Sequence, residues 1–135
     1  MGPNRIGAPR VRAPARPVTG SSGDVRVVAY IPDLLFGSAV HGALTAAGHQ
    51  LELVSGLGPV VDADVLVVDL TADAGGRIAA VQAHGRPGLR ILAFYSHVEA
   101  DVRARAVQAG FDLVVPRSRM AREGASLVER LSAGA

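Results

Sequence analysis

One short stretch limits the folds open to this chain more than any other: Asp64-Val65-Leu66-Val67-Val68-Asp69-Leu70. Val65 to Val68 are consecutive and apolar, and all but Leu66 are β-branched. Such a strand has no polar face to show to water, so both faces must be covered, as in a parallel sheet layered between helices. An aspartate at its end is costly unless the carboxylate reaches an open crevice or finds donors. Asp69 is therefore the first candidate functional residue, and capping of the following loop is its structural alternative.

The segments on either side alternate in the same way. Val25 to Tyr30 reads as a buried strand, and Pro32-Asp33 then opens a helix with Asp33 as N-cap. Phe36, Val40, Ala43, Leu44 and Ala47 fall on one helical face, and Gly48 suits the C′ position. Leu51 to Val54 is a second strand, in which Glu52 marks some exposure. Gly56-Leu57-Gly58-Pro59 follows and leaves room for only about one helical turn before the third strand. After the third strand, a short helix around Ile78 and Val81 ends at His84-Gly85.

Arg90 to Tyr95 is a fourth strand, and Ser96 or His97 is placed to cap the next helix. That helix has Val102, Ala106 and Ala109 as its apolar face and Gly110 as its stop; Glu99/Arg103 and Asp101/Arg105 are i,i+4 pairs. Leu113 to Val115 is a fifth strand, and Pro116 places its end near a sheet edge. Ser118 can cap a last helix whose inner face is Leu127, Val128 and Leu131. Strands alternating with helices in this way predict a three-layer α/β domain around a five-stranded parallel sheet.

Charge divides the chain. Residues 1–23 hold Arg5, Arg10, Arg12 and Arg16 and no acid, which is +4; the rest holds ten arginines against twelve acids, which is −2. The first segment also carries Pro3, Pro9, Pro14 and Pro17 and ends in Gly20-Ser21-Ser22-Gly23. It has little to bury, so it is expected to be a disordered tail preceding an α/β domain over 24–135. Nucleic acid is expected as a partner only through that tail, because the domain itself is slightly acidic.

The residue inventory removes several chemistries. With no cysteine there are no disulfides, thiolate metal sites or cysteine nucleophiles. All 14 basic residues are arginine, so neither Schiff-base lysine chemistry nor a P-loop lysine is available. No G-x-G-x-x-G follows the first strand and no G-x-S-x-G occurs. His41, His49, His84 and His97 lack ligand spacing and read as surface or helix-end residues, so no zinc site is expected. No nucleophile–base pair or paired carboxylates can be argued, so the chain is not expected to be an enzyme. No apolar run is long enough to span a membrane, and no apolar segment of a secretory signal follows the early arginines. A cytoplasmic location is the expectation.

The order of elements over about residues 25–132 resembles the CheY-like receiver domains of response regulators. Asp69 in Val67-Val68-Asp69-Leu70 sits where that family has its phosphoacceptor. Ile91 to Ser96 resembles the fourth receiver strand, and Ala106-Val107-Gln108-Ala109-Gly110-Phe111-Asp112 resembles the family's A-x-x-A-G-A-x stretch. The resemblance implies a flavodoxin-like sheet of order 2-1-3-4-5, here with a shortened second helix. It also implies a crevice at the strand ends, formed with Asp69 by Asp33, Tyr95, Ser96 and Arg117.

The departures bear on function. Receivers hold a divalent cation with an acidic pair after the first strand, where this chain has about Tyr30 and Ile31. Neither side chain offers the hard oxygens that Mg²⁺ requires. Tyr95 falls where receivers end strand four in threonine or serine, and Arg117 replaces their lysine. The expectation is a divergent stand-alone pseudo-receiver, a signalling or regulatory module working through protein–protein contact. It would use no cofactor, and Mg²⁺ enters only under a first alternative, a receiver phosphorylated on Asp69. The second alternative is a small-molecule-binding flavodoxin-like domain. The resemblance places a protein partner or a second copy on the face made by the receiver's fourth helix, fifth strand and fifth helix, where Arg103, Arg105, Arg119, Arg122 and Glu123 are the expected polar residues.

Overall fold

A computed structural model describes residues 25–60, 62–96 and 99–133. The expected tail and His97 lie outside the described residues. Along the chain run β1 (Arg26–Tyr30), α1 (Leu34–Ala46), β2 (Gln50–Leu53), β3 (Val65–Asp69) and α2 (Ala74–His84), then β4 (Arg90–Tyr95), α3 (Ala100–Gln108), β5 (Leu113–Pro116) and α4 (Arg117–Ala133). The strands form one parallel sheet in the order β2-β1-β3-β4-β5, the order implied by the resemblance. β3 lies at its centre and is buried along its whole length. β5 is an edge strand, as Pro116 required.

Alternation along each strand sends side chains to two separate cores. Val27, Ala29, Val65, Val67, Leu92 and Phe94 meet Phe36, Val40 and Leu44 of α1 and Met120, Leu127 and Val128 of α4. Leu66, Val68, Ala93, Tyr95 and Val114 meet Ile78 and Val81 of α2 and Val102 and Ala106 of α3.

Local chemistry sets the helix ends. Asp33 caps α1 by accepting the Phe36 N–H through Oδ1 at 2.9 Å. Gly48 has φ 95°, its N–H donates to Thr45 O at 2.9 Å, and the His49 N–H donates to Leu44 O at 3.0 Å. Gly110 (φ 92°) and Phe111 repeat this Schellman pattern after α3, through Val107 O at 3.0 Å and Ala106 O at 3.2 Å. Two expected caps do not form. Among the described residues Ser96 takes part through its carbonyl, which accepts the Glu99 N–H at 2.9 Å, and α3 starts after Glu99. α4 starts at Arg117, so Ser118 lies inside its first turn and not ahead of it.

No helix forms at the described residues between β2 and β3, where about one turn was expected. Gly56, Gly58 and Pro59 disfavour helix there, and other groups satisfy the linker's polar backbone. Arg86 Nε donates to Val60 O at 3.0 Å and its Nη2 to Ala63 O at 2.6 Å. Arg26 Nε donates to Asp62 O at 2.8 Å. Val60 and Ala63 are buried and cover part of the sheet as a helix would. A groove of about 480 Å³ remains beside β1 and β2, lined by Val28, Gln50, Glu52 and Asp62 among others.

His49 meets the helix-end half of the reading of the four histidines but not the surface half. It follows the α1 stop, yet its side chain is fully buried, and Nε2 lies 3.1 Å from Glu129 Oε2 of α4.

Candidate functional site

Parallel strands direct their carboxyl ends to one rim, where ligands bind in open α/β sheets. Tyr30, Asp69, Tyr95 and Pro116 end four of the five strands and bring the expected crevice residues to that rim. The register places Asp69 beside Phe94 and Tyr95 beside Pro116.

Asp69 is buried. Its Oδ1 accepts the Thr71 N–H at 2.8 Å and the Thr71 hydroxyl at 2.5 Å. The loop-capping role named as its alternative is therefore realised, in the form of an Asx-turn. Among the described residues the cation nearest to it is Arg77, from the first turn of α2. Arg77 Nη1 donates to the Asp69 carbonyl at 2.9 Å and lies 3.9 Å from Oδ1. The same guanidinium sits over the Tyr30 ring, with Cζ 5.0 Å from its centroid. Sequence reasoning found neither Thr71 nor Arg77. The hydroxyl two residues after Asp69 was a readable signal, because Asx-turns close over that spacing; Arg77 had none.

Arg117 does not join Asp69. Its Nη2 lies 3.6 Å from Asp33 Oδ2, and Cζ lies 4.1 Å above the Phe36 ring, which itself packs on Phe94. Both members of this ion pair are about half exposed, so water screens it. Tyr95 is buried in the core under α2 and α3. The expected crevice therefore divides in two: Asp69 belongs with Thr71 and Arg77, and Arg117 belongs with Asp33.

A hollow of about 380 Å³ opens at the same rim, lined by Tyr30, Ile31, Pro32, Leu34, Gly37, Leu53, Val54 and Ser55. Asp69, Tyr95, Ser96 and Arg117 are not among its lining. The exposed Leu34 borders it.

The fold family implies a divalent cation, and the residues here do not fit one. Tyr30 and Ile31 bring no carboxylate, and Asp33 already uses one oxygen on the α1 cap and the other on Arg117. Among the described residues no three carboxylate or imidazole side chains gather as ligands.

On the expected interaction face, Arg119 pairs with Glu123 at 3.2 Å and Arg122 with Glu123 at 3.6 Å, while Arg103 and Val107 are exposed on α3. Arg105 departs from that face. Its guanidinium lies over Gly75 at the start of α2, where a built Cβ would come within 2.6 Å of Nη2.

This architecture is that of the receiver domains of response regulators. No protein-family model matches the sequence, and no curated protein does. Similar solved structures include a response regulator from Thermotoga maritima, at TM-score 0.68 and 13% identity, covering 82% of this chain and 98% of the other. A CheY-like protein from Pseudomonas aeruginosa matches at TM-score 0.65 and 20% identity, covering 81% and 94%. A pilus assembly-related protein from Burkholderia pseudomallei matches at TM-score 0.66 and 18% identity, covering 83% and 92%. Among the described residues no helix is long and apolar enough to cross a membrane.

Proposed function

We propose that this chain is a pseudo-receiver, a cytoplasmic signalling or regulatory module without enzymatic activity of its own. It is read by a protein partner or a second copy and does not rely on Mg²⁺-dependent phosphorylation of Asp69. One observation carries the reading. Asp69 occupies the strand end, but the positions that would hold a cation carry Tyr30 and Ile31, and Asp33 is engaged elsewhere. Phosphoryl transfer to a carboxylate depends on positive charge at the transferred oxygens, so losing those ligands removes its main electrostatic support.

The partner surface is the edge formed by α3, β5 and α4. It offers Arg103 and Val107 from one helix and Arg119 and Arg122 from the other, around an edge strand. The Burkholderia pseudomallei neighbour, a pilus assembly-related protein, adds a reason to look for a protein partner.

Intact mass after incubation with a small phosphodonor and MgCl₂ tests the first half of the reading. No added phosphoryl group is expected; a gain abolished by Asp69→Asn would overturn it. Light scattering after size exclusion tests the second half for a self-partner. Wild type is expected to self-associate and Arg119→Glu to shift toward monomer, whereas identical monomers would eliminate a dimer through this edge.

A further inference from the structure

We propose that Arg77 takes the part of a cation in this fold, so that Asp69 and its loop are held in one arrangement by the chain itself. The inference rests on the pseudo-receiver reading and adds the device that replaces the missing metal. One guanidinium makes three separate contacts at the rim. It bonds the Asp69 carbonyl, approaches the Asp69 carboxylate and covers the Tyr30 ring. The pair is removed from water, with Arg77 about 15% exposed and Asp69 about 6%. At that burial an ion pair is screened little by salt.

The residue type fits the task. A guanidinium is planar and weakly hydrated, so it can lie flat on an aromatic ring while its N–H groups reach oxygens in the same plane. Tyr30, which stands where an acidic ligand would be, becomes the surface on which that cation rests. Thr71 supplies two hydrogen bonds to Oδ1, and Asp69 is thereby tied both to the loop that follows it and to the first turn of α2. A divalent ion entering beside Asp69 would have to displace an internal positive charge. The state of the loop is therefore independent of cation and phosphodonor, and regulation falls to the abundance or partners of the protein.

Asp69→Asn, Arg77→Gln and the double variant, melted with and without MgCl₂ or MnCl₂, form the test. Asparagine keeps the acceptor for Thr71 and removes only the charge. Each single variant is expected to lower the melting midpoint by about 4 °C or more, and the double variant by clearly less than the sum. The wild-type midpoint is expected not to move with either salt. Additive losses would overturn the inference, because Arg77 would then act only through the carbonyl and the ring; the pseudo-receiver reading would survive. A rise with MgCl₂ in wild type that disappears in Asp69→Asn would overturn both. If Arg77→Gln does not fold, Arg77→Met completes the same cycle, since it keeps an unbranched stem over Tyr30 and removes the charge.

Discussion

The two faces of the sheet are closed by different means. On one, α1 and α4 cover the strands with large side chains such as Phe36, Leu44, Met120 and Leu127. On the other, α2 and α3 cover β3, β4 and β5, while the flank over β1 and β2 is left to an irregular linker. β2 reflects the difference residue by residue. All three of Gln50, Leu51 and Glu52 border the open groove, but only Leu51 also packs against the core on the α1 side. The fold dispenses with a helix there because the outward positions are polar and Arg86 meets the linker's carbonyls. A layer of a three-layer domain can thus be thinned locally when strand pattern and backbone hydrogen bonding change together.

Substitutions can break that contrast, starting with the well-covered face. Leu127→Ala should destabilise the domain by about 3 kcal/mol, since it empties a fully buried site. Urea unfolding followed by far-UV circular dichroism measures this. Arg86→Met should cost about 2 kcal/mol by stranding two carbonyls. Hydrogen exchange should place its added opening in the linker and β2, and a uniform increase over both faces would contradict the view that Arg86 serves locally. Gly110→Ala should cost about 1 kcal/mol because it forces a side chain into the left-handed region. Glu52→Gln, on the open flank, should change stability by less than about 0.5 kcal/mol. A larger loss there would mean that the groove side of β2 is more firmly packed than its exposure indicates.

Features confined to one element were legible in the sequence, and features that join elements were not. The apolar run at 65–68 gave the central strand, Asp33 the first cap, and Gly48 and Gly110 two helix stops, because each depends on the backbone within a few residues. Asp69 was found from the cost of a carboxylate at the end of a buried strand. Its partner was not, because an arginine side chain reaches whatever the tertiary fold brings near, and Arg77 lies on a different element. Arg117 and Asp33 were both singled out, but as neighbours of Asp69; in the fold they pair with each other. His49 shows the same limit: its burial depends on α4, eighty positions further along the chain.

Tyr30 and Tyr95 carry one further consequence. The sequence has no tryptophan and only these two tyrosines, and both end strands at the candidate site. The tyrosine absorption and emission, the longest-wavelength signals its side chains give, therefore arise at the rim it shares with Asp69 and Arg77. One of the two chromophores lies directly beneath the guanidinium. The native protein carries its own optical probe, and an event that shifts Arg77 can be followed without a label.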